Sequence, residues 1–305
     1  MNRKIIVVGS MNMDMVVKTS HIPKPGETVL GGSFFMNPGG KGANQAVSVA
    51  RLGGDVAFIG KIGDDIFGKQ SAQLFDEEGV DTNGVLSDRD SPSGIALITV
   101  DDLGENSIVV APGANAHLEP ADVEEAINRY PQGKILLIQL EIPMRTVEFA
   151  ADYAHKRGMR VILNPAPANE LVSGMFHLID IITPNVNEAE MLSGVQIVDI
   201  ASARQAAEKI HEQGVKNVVI TLGRRGAVLF EDGEFCHIPA PEVETIDSTA
   251  AGDVFNGALA VAVGEGKALT EATLFACRAA SIAVTKMGAQ SSIPFRNEVL
   301  LNGIK

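Results

Sequence analysis

The chain has 305 residues, 45% of them hydrophobic and 21% charged, with a formal net charge of −13 at pH 7. This composition excludes global disorder and suits one large α/β domain or two average ones. With no basic run beyond pairs such as Arg224 and Arg225, the acidic chain is expected to bind neither nucleic acid nor an anionic membrane, and its charge reads as solubility.

The N-terminal Met1-Asn2-Arg3-Lys4 precedes only a four-residue apolar run, too short for a signal-peptide core. No segment approaches the ~20 apolar residues of a membrane span, so a cytoplasmic location is expected. Cys236 and Cys277 suit a reducing compartment. Neither they nor the six scattered histidines have metal-ligand spacing.

The first predicted strand covers residues 5–8. Gly9-Ser10-Met11-Asn12-Met13-Asp14 follows it directly. Asn12 and Asp14, two apart in extended chain, point to the same side. An amide and a carboxylate there suit vicinal hydroxyls of a sugar; ordinary turn chemistry is the alternative. Residues 15–35 look extended around the turn Pro25-Gly26-Glu27. Then comes Asn37-Pro38-Gly39-Gly40-Lys41-Gly42-Ala43-Asn44-Gln45, ahead of a helical pattern over 46–52. Its glycines let backbone approach a ligand, and the helix start offers unpaired N–H groups. Lys41 and Asn44 favour a polyol or phosphate over a plain glycine turn. The GxxxxGK[ST] spacing of a Walker loop is absent.

Further strands are expected over 56–59, 135–140, 161–164, 179–183 and 218–221. They are predominantly apolar rather than alternating, as strands buried on both faces are. Helical patterns lie between them, as over 146–157 and 202–213. In the second, Ala203, Ala206, Ala207 and Ile210 follow the spacing of one buried helix face. The alternation predicts a single α/β domain over 1–305, with a doubly wound, mostly parallel sheet flanked by helices. Residues 94–112 break the rhythm. Runs over 95–100 and 107–111 flank an Asp-, Gly- and Asn-rich turn, which signals a hairpin. Together with 15–35 it is expected to build a small antiparallel β lid.

Thr183-Pro184-Asn185-Val186-Asn187-Glu188 follows a buried strand and opens a helix. Asn185 and Glu188 either order the water shell of Mg2+ beside phosphates or form a capping box. The loop Thr221-Leu222-Gly223-Arg224-Arg225-Gly226 follows a strand where open α/β sheets bind ligands; it also reads as an ordinary turn. Runs over 227–230 and 234–238 flank Asp232-Gly233 as a second hairpin.

Asp247-Ser248-Thr249-Ala250-Ala251-Gly252-Asp253 then leads into helical patterns over 258–263 and 270–284. Small residues expose backbone N–H groups at a helix start, an anion hole suited to the charge on a transferring phosphoryl group. Asp253, in the first helical turn, is placed to take a proton from an attacking hydroxyl. Asp247 offers a carboxylate to a cation. The alternative for such an Asp is a simple N-cap.

In this order the motifs resemble the ribokinase-like, phosphofructokinase-B-type family of carbohydrate kinases. The resemblance runs over nearly the whole chain. It rests on 39–45 and 247–253, with Leu163-Asn164-Pro165-Ala166-Pro167-Ala168, Thr183-Pro184-Asn185 and Gly288-Ala289-Gln290 in support. It implies ATP-dependent phosphorylation of D-ribose at the 5-hydroxyl. Asn12, Asp14, Gly40, Lys41, Asn44 and Glu141 match positions that hold the sugar. Asp253 matches the general base, and Ala250, Ala251 and Gly252 the anion hole. Asn185, Glu188, Thr221, Gly223, Gly226 and Gly252 match nucleotide and Mg2+-water positions, and Cys277 a position lining the adenine site. Asp247, Thr249, Ala283, Lys286, Gly288 and Ser292 match a site for a monovalent cation, usually K+. The resemblance further implies a homodimer paired through its lids.

Two positions depart from the family form: Ala250 stands where glycine is widespread, and Cys277 where a polar residue is usual. Within the class, the rival is a kinase for 2-deoxyribose or another small sugar. Asn12 speaks against deoxyribose, because a buried amide facing a missing hydroxyl is left unpaired. From another class, the rival is a non-catalytic sugar sensor. A dinucleotide-dependent dehydrogenase is disfavoured, since no GxGxxG follows the first strand.

Overall fold

The structure is a computed structural model that describes residues 4–301. The chain opens with β1 (Lys4–Val8), β2 (Asn12–Lys18), β3 (Phe34–Gly39) and α1 (Lys41–Arg51). It continues through β4 (Val56–Gly63), α2 (Ile66–Glu77), β5 (Asp81–Asp88), β6 (Gly94–Val100), β7 (Asn106–Ala111) and α3 (Pro120–Asn128). Next come β8 (Gly133–Ile138), α4 (Met144–Lys156), β9 (Arg160–Leu163), β10 (Ile181–Ile182), α5 (Val186–Ser193) and α6 (Ile200–Glu212). The last elements are β11 (Asn217–Thr221), β12 (Ala227–Glu231), β13 (Glu234–Ile238), α7 (Ala251–Gly264), α8 (Leu269–Ala283) and α9 (Arg296–Leu301).

Among the described residues, nine strands form the main sheet in the order β13-β12-β11-β10-β9-β8-β1-β4-β5. It is parallel except at β11/β12 and β12/β13. The unbroken apolar runs have their reason in the packing. Ile5 and Val7 of β1 enter the core shared with α1, α7 and α8, while Ile6 and Val8 enter the opposite core shared with α3, α4 and α6. Helix α6 buries Ala203, Ala206, Ala207 and Ile210, the face its spacing predicts, and Asp199 caps it by accepting from the Ser202 N–H. In the β12/β13 hairpin, Asp232 and Gly233 both take positive φ, as a tight turn of this hand requires.

Strand order reverses at β1: β4 lies on one side and β8 on the other. Ligands bind at such switch points, beyond the carboxyl ends of the strands. The segments leaving β1 and β8 there are 9–14 and 139–143.

The second sheet, in the order β3-β2-β6-β7, comes from the segments expected to build the lid. Its outer ladders are antiparallel and its central β2/β6 ladder is parallel. It starts at Asn12, inside the motif after β1, and residues 19–33 contribute no strand to it. β5 was not expected from the sequence. It is the outermost strand beside β4, and its polar run DTNGVLSD lacks the apolar signature of the central strands.

Candidate active site

Helix α1 begins at Lys41 behind two glycines with distinct duties. Gly40 has φ 89, and a Cβ there would sit 2.8 Å from the Asn12 nitrogen. A Cβ on Gly39 would strike the Asp14 carboxylate. The helix has no side-chain cap of its own. Glu141, arriving from β8, supplies one: its Oε2 accepts from the Lys41 N–H at 3.0 Å and from the Ser10 hydroxyl at 2.6 Å. A carboxylate at a helix N-terminus is favourable.

Asp253 lies in the first turn of α7 and is only 6% exposed. Asn44 Nδ2 donates to its Oδ2 at 3.0 Å, and Gln45 Nε2 donates to its Oδ1 at 3.0 Å. Burial raises its pKa; the Lys41 ammonium and these two amides pull the other way. Asp14 is pushed up to about 7 by burial and by the neighbouring carboxylates Glu141 and Asp253. Burial works against the Lys41 charge, but Asp253, Glu141, Glu188 and Asp14 outweigh it and raise the lysine pKa. One ammonium thus sits among four carboxylates drawn from β2, α5, α7 and the end of β8.

Two clefts meet at the start of α7. One, of about 750 Å3, is lined by Thr221, Gly223, Gly226 and Cys277. The other, of about 230 Å3, is lined by Lys41, Asn185, Glu188, Ala250 and Asp253. Ser248, Ala251 and Gly252 line both, so the small-residue turn is the ridge between them. Ala250 has φ 59, a left-handed conformation that costs an L-residue roughly 1–2 kcal/mol. That accounts for glycine at this position in the family form. The Ala251 N–H is taken by the Ser248 carbonyl at 3.2 Å. The Gly252 and Asp253 amides stand at a helix start, where no intrahelical acceptor serves them.

Asn185 and Glu188 do form the capping box: each side chain accepts from the other's backbone N–H at 2.9 Å. Both still line the smaller cleft, so capping fixes them there rather than removing them from it. Asn185 bridges to Thr221, which ties the two loops together. Burial raises the Glu188 pKa and pushes the Cys277 thiol up to about 12.

Among the described residues, no group of three or more His, Cys, Asp or Glu gathers as a metal cage. Mg2+ fits under those terms, since it keeps several waters and binds through one or two carboxylates plus phosphates. Of the six residues matched to a monovalent cation, hydrogen bonds gather three. Asp247 accepts from the Thr249 N–H and hydroxyl, and from the Gly288 N–H. These bonds outweigh burial and hold the Asp247 carboxyl below its usual range. The other three pair within their own segment: the Ala283 carbonyl takes the Lys286 N–H, Lys286 Nζ goes to Glu298, and the Ser292 hydroxyl goes to the Ala289 carbonyl. Gln290, in the same segment, is buried with both amide atoms unpartnered. A donor set of one carboxylate, carbonyls and hydroxyls suits a weakly charged cation.

Sequence reasoning passed over Ser10, Gln45, Asn115, Gln139, Asn164 and Asn256. Asn256 donates to the Gly252 carbonyl at 2.8 Å and accepts from Thr183 at 2.6 Å, which locks the first turn of α7 to the end of β10. Its i, i+3 spacing from Asp253 was the available signal. Gln45 and Asn164 stood inside quoted motifs without a role. Asn115 carried no local signal, and Gln139 stood out only as the one amide in the apolar run over 135–140.

Residues 2–296 match the family described as pfkB family carbohydrate kinase. The chain is 47% identical over 300 residues to a ribokinase of Haemophilus influenzae, covering 98% of each. It is 36% identical over 295 residues to a deoxyribokinase of Salmonella typhi, covering 95% of each. Among solved structures it resembles an Arabidopsis thaliana ribokinase complexed with ribose and ATP, at 35% identity and TM-score 0.90, covering 99% of this chain and 98% of that one.

Proposed function

The chain belongs to the pfkB family of carbohydrate kinases, and on that footing we propose that it transfers the γ-phosphate of ATP to the 5-hydroxyl of D-ribose. The observation that carries this reading is the position of Asp253: a buried carboxylate at the start of α7, one residue beyond the ridge between the two clefts.

The larger cleft takes the nucleotide, with Thr221, Gly223 and Gly226 along one wall and Cys277 within it. Asn12, Asp14, Gly40, Lys41, Asn44 and Glu141 hold the sugar. Asp253 accepts the hydroxyl proton as the oxygen attacks. The N–H groups at the start of α7 then face the oxygens of the phosphoryl group, where fixed donors stabilise its spreading charge. Lys41 adds a positive charge in the same cleft. Mg2+, oriented through waters by Asn185 and Glu188, would neutralise phosphate charge when bound. Asp247, Thr249, Ala283, Lys286, Gly288 and Ser292 would hold K+ behind the 247–253 turn and stiffen it.

The ribose reading draws support from the names of the relatives and from Asn12. Its Oδ1 is taken by Asn115 Nδ2 at 2.8 Å, so its NH2 group is what remains for a sugar hydroxyl. 2-Deoxyribose, the substrate in the name of the Salmonella typhi relative, lacks one such partner. A coupled assay of ADP release across ribose, 2-deoxyribose and other pentoses, with and without K+, tests the assignment. Ribose is expected to exceed 2-deoxyribose in kcat/KM by about ten-fold or more, the cost of one unpaired buried group. Equal or reversed values favour the deoxyribose reading, and no sugar-dependent ADP release favours a sensor.

The lid suits a homodimer. Met36, Met15, Leu97 and Val109 are register partners in one row across its four strands. Met36, Leu97 and Val109 are exposed, as is Phe34 on the same face. Such a face calls for a cover, and a second copy of the chain supplies one. No helix among the described residues is long and apolar enough to cross a membrane; we place the enzyme in the cytoplasm, as a single domain with its lid.

A further inference from the structure

Asp253 sits at one end of a buried chain of amides whose direction is set by one backbone carbonyl. The Thr183 carbonyl can only accept, so Asn164 must turn its Nδ2 toward it, at 3.2 Å. That leaves Asn164 Oδ1 facing Gln45, whose Nε2 donates to it at 3.1 Å. The same Nε2 spends its other hydrogen on Asp253 Oδ1 at 3.0 Å. With both hydrogens committed, Gln45 Oε1 must accept, and Gln139 Nε2 donates to it at 2.6 Å. Gln45 is 0% exposed, so water does not compete for these bonds. Its neighbour Asn44 serves the other carboxylate oxygen. Two consecutive residues of α1 therefore grip both oxygens of one carboxylate and leave its outward lone pairs to the cleft.

We infer that Gln45 is a positioning residue for phosphoryl transfer: oriented by Asn164 and Gln139, it fixes the rotation of the Asp253 carboxylate and holds it in the ionised form. The inference rests on the reading of Asp253 as general base. The charged groups facing Asp253 are Lys41 from α1, Glu141 from the end of β8, Asp14 from β2 and Glu188 from α5. Three of the four are carboxylates that favour its protonation, and burial acts in the same sense. The Gln45 amide, with Asn44 and Lys41, opposes them. Removing it raises the proton affinity of the base and frees the carboxylate to turn.

The test is the pH dependence of kcat, at saturating ribose and ATP, for the full chain carrying Gln45→Met. Methionine keeps the unbranched shape without a donor. Saturation keeps Asp14 engaged with sugar, so the acid limb reports the base in the complex. Turnover is expected to fall about ten-fold and the acid limb to move up by about one pH unit, as loss of a charge-assisted hydrogen bond implies. KM for ATP should hold. Gln139 would lose its acceptor in that variant, so Gln45→Met/Gln139→Met is run beside it. An acid limb at the wild-type position in either folded variant overturns the inference. So does loss of cooperative folding in both, which would make Gln45 a packing residue. Asp253→Asn separates the two claims. If it retains turnover, the general-base reading fails. If it is inactive while the Gln45 variants keep the wild-type limb, only the positioning role fails.

Discussion

Asn115 Nδ2 lies 2.8 Å from Asn12 Oδ1, across 103 residues of chain. Asn115 also accepts from the Met11 N–H at 2.9 Å and reaches the Met11 carbonyl at 3.1 Å, so one buried amide stitches the entry of β2 to the segment after β7. Asn12 is thereby held with its donor group free. Asn115→Leu should raise the KM for sugar by about ten-fold, the usual scale for an unpaired buried polar group, while kcat changes less. Steady-state kinetics decide it; an unchanged KM would reduce Asn115 to packing.

Asp253→Asn preserves shape and removes the base. General-base contributions run to ~10²–10⁴, so kcat should fall at least about a hundred-fold. Sugar affinity, measured by calorimetry without ATP, should change little, because Asn12, Asp14 and Glu141 remain. Turnover near wild type would remove Asp253 from the chemistry.

Asp14 gives the ligand-free protein a pH-dependent stability. Burial and the neighbouring carboxylates Glu141 and Asp253 push its carboxyl up from the ordinary 3.8 of the unfolded chain to about 7 in the folded one. Between those values the folded protein keeps a proton that the unfolded chain has released. The group's stabilising contribution is complete below the lower value and lost as pH rises through the upper one. Melting temperature should therefore decline across this window in the wild type, and less steeply in Asp14→Asn. Parallel curves would show that Asp14 titrates normally.

Leu97 and Val109 face each other across β6 and β7 on the apolar side of the lid. Leu97→Glu/Val109→Glu places two carboxylates in the middle of the proposed interface. Light scattering should show a dimer for the wild type and a monomer for the variant. A monomeric wild type would leave the exposed row without the partner assigned to it.

The main sheet was legible because its evidence is local. Strands such as β1 and β11 carry unbroken apolar runs, over 5–8 and 218–220, as burial on both faces requires, and α6 shows its buried face in the spacing of three alanines and an isoleucine. β5 escaped because an edge strand need not be apolar on either side. β10 is only Ile181–Ile182: the Thr183 N–H still reaches the Leu163 carbonyl at 2.9 Å, but Pro184 has no N–H to carry the ladder further.

The two motifs of the site were legible for a similar reason. Glycines before a helix and small residues opening one act through their own backbone, within a few positions of themselves. By itself the sequence thus determined the α/β architecture, the glycine approach at 39–40 and the helix start at 250–253. The tertiary structure alone decided that Asn44 and Gln45 clasp a carboxylate more than 200 positions away, that Asn115 orients Asn12, and that four acids surround Lys41. An amide or carboxylate reads the same in sequence whether it sits in water or in a core. Its partners and its proton affinity come from burial and from neighbours that the crossing of strands brings together.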